Sequence, residues 1–212
     1  MLWNVASRLG EEIVLADLNP ALPRQARAQE TYERLLSAGQ AVLERGGLEA
    51  FNSNAVVAEA GVTPPSFYRY FKNKHEMLAE LGDRLMRAQN AIIEADIAKD
   101  ASLATRTVQE HERILTRTLA VTRKFRGGRA ITSSLRAIPE LAPIRLESHA
   151  HVAGLIAQQM RGGGQGKADD FARARLAVEL GYAAVEMLLE VPQIEAKPVL
   201  RAAARSIAAC LD

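Results

Sequence analysis

Between Asn52 and Glu76 the chain reads NSNAVVAEAGVTPPSFYRYFKNKHE, and few folds accommodate that order of residues. Asn52 or Ser53 stands where it caps a short helix that buries Val57 and Ala58. Gly61 then supplies the left-handed conformation that stops the helix. Val62 turns into the angle, Thr63 caps the next helix, and Pro64 and Pro65 fill its first turn, where a missing N–H breaks no helical bond. That second helix has room for about two turns. It carries Ser66, Tyr68, Arg69 and Tyr70 on a stub too short to form a core, while Phe67 and Phe71, four apart, face inward. A further helix begins at once, with Asn73 as cap and Glu76 three residues on in a reciprocal capping arrangement. The pattern is a helix-turn-helix, whose second helix is shaped to enter a major groove.

Around this unit the stretch from Ala26 to Met86 resembles the DNA-binding domain of TetR-like (tetracycline-repressor-like) bacterial transcriptional regulators. The likeness rests on a long first helix ending in Arg45-Gly46-Gly47, the A-E-A-G-V-T turn, the F-Y-R-Y-F helix, and the F-K-N-K-x-E-x-L lead into a fourth helix. Asn54 stands where that family more often has an aliphatic residue, and Pro64-Pro65 replace a commoner Arg-Gly or similar pair. The resemblance implies an all-α homodimer that sets two recognition helices in successive major grooves of a pseudo-palindromic operator. It also implies an unidentified small-molecule effector that swings the fourth helix and releases the DNA, which makes the chain a repressor.

Charge agrees with local rather than global attraction to DNA. Across 212 residues the formal charge is only +2, so affinity must come from concentrated cations. Arg69, Lys72 and Lys74 fall within six positions, and Arg24 and Arg27 lie at the entry to the first helix. Phosphate contacts are expected from Tyr68, Tyr70, Lys72 and Lys74, with Arg27 and Ser53 at the edge of the footprint. Base reading falls to Thr63, Pro64, Ser66 and Arg69, at the groove-facing start of the recognition helix.

Three segments organise the chain: an N-terminal extension over 1–23, the DNA-binding domain over 24–87, and an effector-binding and dimerisation domain over 88–212. The first helix is expected over Arg27–Arg45, with Leu48 and Phe51 plugging the small core behind it. The helix begun at Asn73 runs to Ile97, about 37 Å, long enough to tie the DNA-binding unit to the C-terminal domain. Helices are then expected over Leu103–Phe125, Arg129–Ile138, Pro143–Met160, Asp169–Glu190 and Pro198–Leu211, with a glycine-rich loop at 162–166. The last two are rich in small residues at three- and four-residue spacing, which lets helices approach closely. Ala177, Gly181, Ala184, Leu188, Ala203 and Ile207 are therefore expected at a four-helix dimer interface.

Chemistry beyond binding finds little support. His111 and His151 sit on apolar stripes and are expected to point inward, lining a mostly apolar cavity with Gln159, Tyr182 and Glu186. Glu147 and His151 share a face, but no second His or Cys falls into a recognised metal-ligand spacing, so no metal and no cofactor are expected. There is no nucleophile elbow and no Cys near a His, which argues against an enzyme. The single Cys210 and the absence of a long apolar run or basic leader fit a cytoplasmic protein without a membrane segment. The rival reading is a helical small-molecule-binding or enzymatic domain with a vestigial DNA-binding head, and the intact Tyr68, Lys72 and Lys74 set speaks against it.

Overall fold

The computed structural model describes residues 26–98, 107–160 and 168–212. The extension over 1–23, Arg24, the first residues of the helix expected from Leu103 and the glycine loop at 162–166 lie outside the described residues. Among those described the fold is all-α, an N-terminal helix-turn-helix followed by a helical bundle. Its elements are α1 (Ala26–Ala50), α2 (Ser53–Ala60), α3 (Pro64–Tyr68), α4 (Lys74–Ile97), α5 (Val108–Lys124), α6 (Gly128–Ala137), α7 (Ala142–Gln159), α8 (Ala168–Glu190) and α9 (Ala196–Leu211). A 3-10 turn over Pro139–Leu141 joins α6 to α7. No described helix is long and apolar enough to cross a membrane.

Two apolar cores divide the work. The first gathers Tyr32, Leu35, Leu36 and Val42 of α1, Val56 and Val57 of α2, Phe67 of α3, Phe71, and Met77, Leu81 and Leu85 of α4. Tyr32 stacks on Phe71 with ring centroids 5.2 Å apart, a geometry that adds to simple area burial. Arg84 clamps α4 to α1 through a two-pronged bond to Glu33, 2.7 Å on each prong, and lies over the Tyr32 ring. The same core takes in Ile131 and Leu135 of α6 and Leu141, so the helix-turn-helix unit is packed directly against the next stretch of chain. At this junction Gly82 of α4 lets Leu135 approach so closely that a Cβ there would lie 2.7 Å from its Cδ2.

The second core is built by Leu115 and Leu119 of α5, Val152 and Ile156 of α7, Ala177, Val178 and Val185 of α8, and Leu200, Ala204 and Ile207 of α9. Helix α4, 24 residues and roughly 36 Å long, serves both, since its far end contributes Ile93 and Ile97 to this second core, and α7 does so too through Ile144 on the first and Val152 on the second.

Candidate functional site

The helix-turn-helix is set by its caps. Ala55 N–H donates to Asn52 Oδ1 at 2.9 Å, so Asn52 and not Ser53 caps α2. Gly61 ends the helix at φ 61°, with Gly61 N–H donating to Ala58 O and Val62 N–H to Val57 O, the paired bonds of a Schellman close. The buried face of α2 is Val56, Val57 and Ala60, while Ala58, expected inside, is exposed. Thr63 has the extended backbone of an N-cap, yet its side chain does not cap α3. Pro65 has no N–H to offer, and the Ser66 N–H is taken at 2.9 Å by the Thr63 carbonyl. The freed Thr63 hydroxyl instead shares a hydrogen bond of 3.1 Å with the Ser66 hydroxyl.

Phe67 and Phe71 are fully buried, as their four-residue spacing requires, and this aims the rest of α3 outward. Thr63, Pro64, Arg69, Lys72 and Lys74 are exposed and Ser66 is half-buried. Tyr68 is 57% exposed, a large aromatic left in solvent at the end of a helix. Its hydroxyl meets that of Ser53 at 3.2 Å, which orients it from α2. Tyr70 is drawn further in: its ring meets Tyr32 edge-on at 5.9 Å and packs on the first core, with the Arg69 guanidinium 6.0 Å from its centroid. Arg27 is exposed in the first turn of α1. The entry to α4 is capped by Asn73, whose Oδ1 accepts from Glu76 N–H at 3.0 Å. The Glu76 carboxylate, buried, accepts the N–H of Lys72, one residue beyond the cap, which fixes the chain between α3 and α4.

Within the second core lies a partly open pocket of about 60 Å³. Its wall is made by Ile93 of α4, His111, Ile114, Leu115 and Thr118 of α5, Ile156 of α7, Ala177, Val178, Gly181 and Tyr182 of α8, and Ile207 and Leu211 of α9. His111 and Tyr182 are thus brought together there, and the other expected pocket residues are not. His151 is exposed and hydrogen-bonds Glu94 at 2.9 Å. Gln159 is half-buried near the end of α7, and Glu186, though buried, pairs with Arg136 of α6 away from the cavity. Burial raises the Glu186 carboxyl above its ordinary range despite that partner.

The inward face of α7 is Ser148, His149, Val152, Ala153 and Ile156, so the helix is rotated from the stripe that would carry His151 inside. His149 is the histidine that sequence reasoning missed. It is fully buried, stacks on Tyr182 at 4.0 Å between ring centroids, and meets Glu179 through Nδ1 at 2.9 Å. Burial outweighs the carboxylate and lowers its pKa to about 4, so the ring is neutral and its Nδ1–H donates. Glu179 is raised by burial, but His149, Arg175 and Arg145 more than offset this and hold it below the usual range. No group of His, Cys, Asp and Glu among the described residues is arranged to hold a metal ion.

Residues 35–81, from the core of α1 through the helix-turn-helix into α4, match the model of the bacterial regulatory proteins, tetR family. Over that stretch the chain is similar to the tetR family. Solved structures share its fold at low identity. A tetR-family transcriptional regulator from Streptomyces coelicolor is 15% identical with a TM-score of 0.65, over 86% of this chain and 80% of that one. The transcriptional regulator FadR from Bacillus subtilis, in complex with stearoyl-CoA, is 20% identical with a TM-score of 0.61, over 85% and 97%. The multidrug binding protein EbrR complexed with imidazole is 17% identical with a TM-score of 0.66, over 87% and 94%. No curated protein matches the sequence.

The residues expected at a dimer interface are mostly buried within the chain itself. Ala177, Gly181 and Ile207 line the cavity, and Leu188 and Ala184 are buried against their own chain. Gly181 faces Leu115 and Ile207, so the close approach it permits is internal. Ala203 is half-buried and packs on the second core. The surface left open by α8 and α9 is the opposite stripe, with Leu176 54% exposed and Met187 37% exposed, next to Ala183 and, on α9, Ala202, Ser206 and Ala209.

Proposed function

We propose that the chain is a homodimeric repressor that binds a pseudo-palindromic operator through residues 24–87 and is released by a small molecule bound within 88–212. The observation that carries the reading is α3. Its buried Phe67, with Phe71 just beyond it and the capped turns on either side, holds Pro64, Ser66, Tyr68 and Arg69 outward on a unit braced by Arg84 and Glu33. Thr63, Pro64, Ser66 and Arg69 read bases, and Tyr68, Lys72 and Lys74 position the protein on phosphates, with Arg27, Ser53 and the half-buried Tyr70 at the margin. Lys74 opens α4, where a cation opposes the helix dipole, so a phosphate is its natural partner. The two-fold contact uses the open stripe of α8 and α9, small enough at Ala183, Ala202 and Ala209 for close helix packing.

A coupling of about 1–3 kcal/mol between effector and DNA gives roughly 5- to 150-fold derepression. Gel shifts with DNA selected from a random pool by the purified protein test the reading. Lys74→Ala should weaken all sequences alike and flatten the salt slope by about one unit, whereas Arg69→Ala should lose discrimination among sequences. Ala183→Arg should sediment as a monomer and lose operator affinity. A wild-type monomer at the concentration of the gel shift, or no selected sequence at all, refutes the proposal.

A further inference from the structure

The cavity in the second core has a wall of one chemical kind. Among the described residues every side chain on it is hydrocarbon except those of His111, Thr118 and Tyr182, and none is a carboxylate, ammonium or guanidinium. The Thr118 hydroxyl is turned back on its own helix, donating to the Ile114 carbonyl at 3.0 Å. The ionised groups that act on Tyr182, Glu186 and Glu179, stand off the wall and are already engaged, Glu186 with Arg136 and Glu179 with Arg175 and His149. A charged ligand entering here would give up its hydration and meet no carboxylate, ammonium or guanidinium on the wall in return.

Size adds a second constraint. A pocket of about 60 Å³ is well below the roughly 150 Å³ of an apolar cavity that takes benzene, so any organic occupant must press side chains apart. The wall is tight at Gly181, where a Cβ would stand 3.1 Å from Leu115 Cδ2 and 3.5 Å from Ile207 Cδ1. We propose that the effector is a compact, uncharged hydrophobe of the size of a single aromatic ring, wedged between α5 and the α8–α9 pair. This rests on the reading of the C-terminal bundle as the effector domain. The wedge has a route to the DNA-binding unit, because α5 leads through the turn at 125–127 into α6, whose Ile131 and Leu135 belong to the first core.

Toluene, benzoate and benzylammonium carry the same ring with no charge, a negative charge and a positive charge. Each is titrated calorimetrically into the full-length protein near neutral pH and added to the protein–DNA complex in a gel shift. Toluene should bind and the two ions should not. Gly181→Ala should weaken toluene roughly 10- to 200-fold, the effect of one methyl group in a hydrophobic pocket. Ala177→Val, on the same wall, should do likewise, with circular dichroism confirming the helical content of both variants. Equal binding of either ion, no binding of toluene up to its solubility, or undiminished toluene binding by both folded variants overturns the proposal. Toluene that binds without releasing DNA leaves the ligand class standing and removes the ligand-released repressor. Release by an ion alone does the reverse.

Discussion

Acid should destabilise this protein through His149 before it reaches the carboxylates. The ring is fully buried between α7 and α8, and burial lowers its pKa from the ordinary value of about 6.5 to about 4. Between those values the unfolded chain binds a proton that the folded chain refuses, so stability is complete above about pH 6.5 and falls as pH drops towards 4. The slope in that window is about 1.4 kcal/mol per pH unit, and the whole loss is about 3 kcal/mol. Against a typical stability of about 5–15 kcal/mol this is a large share. For a chain of this length it lowers the melting temperature by roughly 6–12 °C. Glu179 is held below the usual carboxylate range, so its own contribution persists until more acid pH and acts in the same direction. The assay is a melting series from pH 7 to about pH 4.5 on the wild type and on His149→Gln, a neutral amide that can still donate to Glu179. The variant should start lower, having lost the stack on Tyr182, but its melting temperature should fall less with acid. Parallel profiles for the two proteins would show that His149 titrates normally and that its burial has been misjudged.

Two further outcomes bear on the DNA-binding unit. Asn52→Ala removes the cap of α2 and should cost about 0.5–2 kcal/mol in a urea melt, with Asn52→Asp retaining most of it; equal values for the two variants would deny the cap its role. Gly82→Val drives a branched side chain into the fully buried Leu135 at the α4–α6 crossing. Overpacking there should cost about 1–3 kcal/mol. A variant with unchanged melting temperature would mean that this crossing is loose.

The all-α fold and the helix-turn-helix were legible in the chain because their determinants are local. Asn52, Gly61, Pro64 and Asn73 act within a turn or two of their own backbone, and Phe67 and Phe71 face inward by helical spacing alone. Where two local bonds compete the sequence falls short, and Thr63 gave up its cap to its own carbonyl and to Ser66. The bundle was less legible for a different reason. Helix α7 is apolar on more than one face, so spacing could not say whether His149 or His151 turns inward; packing against Tyr182 and Glu179 chose His149. The small residues of α8 pointed to a close approach, expected across a dimer interface. Gly181 proved to meet Leu115 and Ile207 of its own subunit. Periodicity specifies which residues share a face of a helix, whereas the identity of what that face meets depends on how every other helix is packed, and only the tertiary structure decides it.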